Sequence, residues 1–141
     1  FREIRAGVPE FRVPEIVAVQ HRTAAPLWRA IGAPGPFPEP DSTDDPSLAD
    51  GIAIGEPVRQ QALVRAIKET GGRVIVVGNE EIIAAQQRLA GVGVWAEPTG
   101  AVAMAGHAQA GDGDDALVVV TGHGSKAPPG VLQHPAGAST P

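Results

Sequence analysis

Three short apolar runs show no alternation of polar and apolar residues, and this constrains the fold more than any other feature. They are Ile16-Val-Ala-Val-Gln20, Arg73-Val-Ile-Val-Val77 and Leu117-Val-Val-Val-Thr121. Successive side chains of a strand point to opposite faces, so a run that is apolar throughout needs cover on both. The stretches between them carry helical patterns. Val58, Ala62, Leu63, Ala66 and Ile67 recur at helical spacing, interleaved with Arg59, Arg65, Lys68 and Glu69. Asn79 is expected to cap a helix from Glu80 to about Ala90, with Glu80 and Glu81 at its positive end. Thr99, preceded by Pro98, opens an Ala-rich helix that runs to about Ala108. Strand and helix alternate without an internal repeat. The expected class is α/β, a partial three-layer domain on a parallel sheet.

Proline and glycine mark what lies outside that domain. Gly32 to Pro40, followed by the acidic Asp41 to Pro46, reads as a surface loop, because proline lacks a backbone donor and fixes φ. The domain is expected to fill residues 1–127. Residues 128–141, with Pro128, Pro129, Pro135 and Pro141, read as a disordered, flexible tail.

Charge and composition narrow the function. The chain has 141 residues and a net charge of -5, whereas a nucleic-acid binder usually presents a basic face. It has no cysteine, which removes disulfides, thiolate metal sites and cysteine nucleophiles and is compatible with a cytoplasmic location. The longest apolar run, Leu117 to Val120, is too short to span a bilayer, so no membrane partner is expected. His21, His107, His123 and His134 lack metal-ligand spacing. Asp112, Asp114 and Asp115 lack the bidentate Glu of a calcium loop and read as a solvated turn. Gly91-Val-Gly93 reads as a helix end.

Ligands of parallel sheets bind beyond the carboxyl ends of the strands. Three such exits stand out: Gly78-Asn79, Glu97-Pro-Thr-Gly100 and Thr121-Gly-His-Gly124. In the last, a polar Thr ends an apolar strand, and the glycines would let backbone pass close to a flat ligand. A strand that simply stops in a glycine turn is the competing reading. Glu97 fits either a site carboxylate or a helix-terminus charge.

Six segments in order resemble the C-terminal part of the threonine synthases, fold type II pyridoxal-phosphate enzymes of the tryptophan synthase β-like group. Phe1-Arg-Glu-Ile-Arg5 resembles the helix after that family's phosphate loop. Ile16-Val-Ala-Val-Gln20 with Ala24-Ala-Pro-Leu27 resembles its V-x-Q…A-A-P-L segment, and Leu48-Ala-Asp-Gly-Ile-Ala-Ile-Gly55 its L-A-x-x-I-x-I-G stretch. Asn79-Glu-Glu-Ile82 resembles D-E-E-I, Glu97-Pro-Thr-Gly-Ala101 resembles E-P-A-S-A, and Thr121-Gly-His-Gly124 is T-G-H-G. The likeness runs from Phe1 to about Pro128.

The resemblance implies pyridoxal 5'-phosphate as cofactor and an amino-acid substrate, O-phosphohomoserine, converted with water to threonine and phosphate by a cytoplasmic lyase. It assigns Thr121 to the pyridine nitrogen, and Gly122, Glu97 and Gly55 to the cofactor cleft. It implies a Schiff-base lysine and a glycine-rich phosphate cup N-terminal to Phe1. Neither Lys68 nor Lys126 sits in a context that would desolvate it. A start at Phe1 reads as a trimmed chain, expected to be inert alone, to need the N-terminal part of the same enzyme, and to form a homo-oligomer when complete.

Some positions depart from the pattern. Thr99-Gly100 is closer to the E-P-A-G-A of threonine and serine dehydratases, Ser125 stands where Leu is usual, and His21-Arg22-Thr23 replaces a small, acidic segment. A dehydratase-like lyase and a non-catalytic α/β partner module stay open beside the synthase reading.

Overall fold

The first two apolar runs become strands β1 (Val17–His21) and β2 (Arg73–Val77), paired in parallel with Val17 opposite Arg73 and His21 opposite Val77. The computed structural model describes residues 1–32, 46–111 and 115–126. Residues 33–45, Asp112, Asp114 and the expected tail at 128–141 lie outside the described residues. Among the described residues five α-helices accompany the strands: α1 (Arg2–Gly7), α2 (Pro26–Ile31), α3 (Gln60–Glu69), α4 (Asn79–Gly91) and α5 (Pro98–Ala110).

Both faces of the sheet are covered, as the missing alternation predicts. Val17, Val19, Ile75 and Val77 pack against Ile82, Ala85 and Leu89 of α4 and Ala101, Val102 and Ala105 of α5. Ala18 and Val74 turn to the opposite face and meet Leu27, Trp28 and Ile31 of α2 with Val64 and Ile67 of α3. Fully burying a Val or Ile side chain stabilises by about 1.5–3 kcal/mol. The unbroken burial of Val74 to Val77 therefore makes β2 the centre of the fold. α5 lies close on β1 because residue 106 is glycine, and a Cβ there would take the place of the Val19 methyls.

Four sequence expectations shift. Val58 lies ahead of α3 and is fully exposed, and Leu63 is largely exposed, so the buried stripe of α3 is Val64 and Ile67. Asn79 begins α4 without capping it. Its side chain is bonded elsewhere, and the Glu81 carboxylate accepts the Gly78 N–H at 2.9 Å instead. β1 continues through His21, because that ring is buried. The third run forms no strand: Leu117 is 94% and Val119 64% exposed. An apolar run becomes a strand only beside another strand, and among the described residues nothing pairs with Leu117 to Val120.

Gln20 has a use that its place in an apolar run hides. Its side-chain oxygen accepts the N–H groups of Leu27 and Trp28 at 2.9 and 3.2 Å. Those are first-turn donors of α2, whose flanking Ala25 has no oxygen to offer them.

Candidate functional site

The segment entering α5 and the Thr121-Gly-His-Gly124 turn lie side by side. Ala96 and His123 form an antiparallel bridge. The Gly124 N–H donates to the Trp95 carbonyl at 2.8 Å, and the Glu97 N–H to the Gly122 carbonyl at 3.4 Å. His123 Nδ1 accepts the Ser125 N–H at 3.1 Å, which closes the turn from within.

The glycines of this turn are also needed by the packing of the chain itself. Gly122 has φ +71°, and a Cβ on it would occupy the place of Glu97 Oε1. A Cβ on Gly124 would meet the Trp95 ring, and one on Gly100 the Thr121 carbonyl. The space beside the turn is thus taken by Glu97 and Trp95 of the same chain, and α5 begins hard against it.

A second segment reaches the same place. Ala49 is wholly buried, a 3-10 turn follows at Asp50–Ile52, and a Cβ on Gly51 would stand 3.2 Å from Thr99 Oγ1. Gly55, by contrast, is exposed, with nothing within 4 Å of its Cβ position. Glu97, Gly122 and Thr121 are therefore brought together with Thr99 and Gly51. Ala49 and Ile52 of the same segment join the core that α5 helps build, whereas Gly55 stands clear of the other described residues.

Polar groups whose partners the sequence did not reveal hold these pieces. Gln86, buried on α4, donates to the Ala96 carbonyl at 3.0 Å, one residue ahead of Glu97. His21, 2% exposed, lies between Thr23 Oγ1 at 2.8 Å and Asn79 Oδ1 at 3.1 Å. Asn79 in turn bonds the Leu48 N–H and the Pro46 carbonyl at 2.9 and 3.0 Å. Arg22 lies over Gly78 and pairs with Glu81 at 3.0 Å. Of these, Gln86 gave as its only sequence signal a polar residue within an expected helix.

The chemistry on offer is a hydroxyl and a carboxylate in one turn. Thr121 is exposed, and its hydroxyl makes no hydrogen bond to the described residues. Glu97 is half-buried, and its carboxylate has no ion pair or hydrogen-bond donor among them. A hydroxyl can donate to a neutral ring nitrogen, and a carboxylate can only accept. Lys68 and Lys126 are both exposed, and Lys68 lines a shallow groove of about 410 Å³ between α2 and α3, on the opposite face of the sheet from α5. Among the described residues no three His, Asp or Glu gather into a metal site, and no helix is long and apolar enough to cross a membrane.

Comparison with known proteins agrees with the order of the motifs. The family model for pyridoxal-phosphate dependent enzymes matches residues 1–122. The threonine synthase of Methanosarcina acetivorans is 35% identical over 142 residues, covering 94% of this chain and 34% of that protein. That of Mycobacterium tuberculosis is 33% identical over 129 residues, covering 86% and 33%. That of Methanocaldococcus jannaschii is 31% identical over 145 residues, covering 90% and 35%. The chain spans about a third of the length of the curated relatives it matches.

Proposed function

This chain belongs to the pyridoxal-phosphate dependent enzyme family, and we propose that it is the C-terminal part of a cytoplasmic threonine synthase acting on O-phosphohomoserine and water. The observation that carries the reading is the Thr121 hydroxyl, uncommitted among the described residues, on a turn whose backbone is pinned by Trp95 and Glu97. These residues fit the cofactor: an aromatic ring with one basic nitrogen needs one neutral donor at its edge, and Thr121 has one to give.

Bound pyridoxal phosphate supplies an electron sink for bond changes in the amino-acid substrate. Thr121 Oγ1 keeps its proton and donates it in a hydrogen bond to the ring nitrogen, leaving that nitrogen without a formal charge. Gly122 keeps the turn low, because any side chain would displace Glu97. The Glu97 carboxylate lines the cleft, and Gly55 offers backbone free of side-chain obstruction. The lysine that holds the cofactor, and the phosphate cup, come from a part of the protein outside this chain. Support for this is the exposure of both Lys68 and Lys126, since a reactive lysine must be desolvated or flanked by positive charge. The exposed apolar surface at Leu117 and Val119 supports association with that part and assembly into a homo-oligomer.

The dehydratase alternative rested on Thr99-Gly100. A Cβ on Gly100 would collide with the Thr121 carbonyl. Packing in this chain thus favours glycine at position 100 whatever the substrate, which lessens the weight of that likeness. The test is an assay of the full-length protein with O-phosphohomoserine, following phosphate and threonine together. Release of both is expected; deamination of threonine without phosphate release would sink the synthase reading.

A further inference from the structure

The hydrogen bonds around His21 fix its protonation. An amide N–H can only donate, and the Thr23 N–H points to His21 Nδ1 at 3.3 Å, so that nitrogen carries no proton. The proton of the neutral ring then sits on Nε2 and is donated to Asn79 Oδ1 at 3.1 Å. The same oxygen accepts the Leu48 N–H, while Nδ2 of the same amide donates to the Pro46 carbonyl. Asn79 thus grips the chain at two successive points just before Ala49 enters the core. From there the Ile52 N–H returns to the Ala49 carbonyl at 3.2 Å, and Gly51 is brought against Thr99 at the start of α5.

We infer that His21 and Asn79 are positioning residues that set the Pro46–Ile52 segment against Thr99, and through it the first turn of α5 beside Thr121. The link to the cofactor rests on the proposed function; the link to the segment does not. A helix-start asparagine without this role would be felt in α4 and nowhere else. Here its side chain bonds two other parts of the chain, His21 and the Pro46–Leu48 stretch.

Amide hydrogen exchange of the full-length protein, read by mass spectrometry, tests the segment link, and the absorption band of the bound cofactor tests the rest. Asn79→Leu and His21→Phe should each speed exchange across residues 46–52 by roughly tenfold, with β2 unchanged. His21→Gln, which keeps a donor near the Nε2 position, should return exchange close to the parent. The double variant should be no worse than Asn79→Leu alone, because both act through one amide oxygen. The cofactor band should shift in Asn79→Leu and recover in His21→Gln. Unchanged exchange at 46–52, exchange raised equally in β2, or a loosened segment beneath an unchanged band would each overturn the inference. A parent protein with no cofactor band would instead defeat the proposed function, and the exchange result would still decide the role of His21 and Asn79 in the segment.

Discussion

The Gln86 side-chain amide, on α4, and the Ala96 carbonyl meet at 3.0 Å with both groups shut off from water. Gln86→Leu fills a similar volume but leaves that carbonyl without its donor, which costs about 1–3 kcal/mol. Urea unfolding of the full-length protein should show this loss, and local exchange should rise at Trp95 to Glu97. A variant as stable as the parent would mean that water reaches Ala96.

Two effects compete at Gly106. Alanine gains up to about 1 kcal/mol over glycine inside a helix, whereas overpacking costs about 1–3 kcal/mol. The obstructing atoms are the methyls of Val19, a β-branched side chain stiff about χ1. Overpacking should win, so Gly106→Ala lowers the melting temperature, and adding Val19→Ala recovers part of the loss. A stabilised single variant would show that α5 moves away freely.

Thr121→Val keeps the shape of the side chain and removes only the hydroxyl. The residue is exposed and its hydroxyl bonds nothing among the described residues, so stability should stay within about 0.5 kcal/mol. In the full-length protein, activity should fall roughly tenfold and the cofactor absorbance should change, matching the loss of one hydrogen bond. Unchanged absorbance and turnover would remove Thr121 from the cofactor site.

Residues 1–141 alone should self-associate, because Leu117 and Val119 stand in water. Leu117→Lys with Val119→Lys should reduce the associated fraction on size exclusion without lowering the melting temperature. With limiting pyridoxal phosphate and borohydride, Lys68 and Lys126, both exposed, should be labelled no more readily than the chain's α-amino group, with no selective stoichiometric adduct on either. A selective stoichiometric adduct on either lysine would contradict the proposal that the cofactor lysine lies elsewhere.

The sheet and its helical cover were legible because burial on both faces leaves unbroken apolar runs at 16–20 and 73–77, a signal carried by each segment itself. The run at 117–120 carries the same signal but lacks a neighbouring strand among the described residues, and pairing cannot be read from one segment. In the candidate site, the grouping of Glu97, Thr121 and Gly122 followed from their motifs. The packing of Ala49, Gly51 and Ile52 toward α5 was not legible, because it depends on how far the loop folds back. Gln20, Gln86, His21 and Asn79 were opaque for a common reason. Each joins elements distant in sequence, and a lone polar residue does not declare its partner.

The parallel pairing of β1 with β2 bears on how fast this chain can assemble. No rung of that ladder can form until the whole stretch from Arg22 to Gly72 has been brought round as a closed loop, an entropic barrier that precedes any reward. α4 and α5 face no such delay, being neighbours in sequence that pack on one another. The helical pair is thus the natural nucleus, and the closing of the sheet the slow step that follows it.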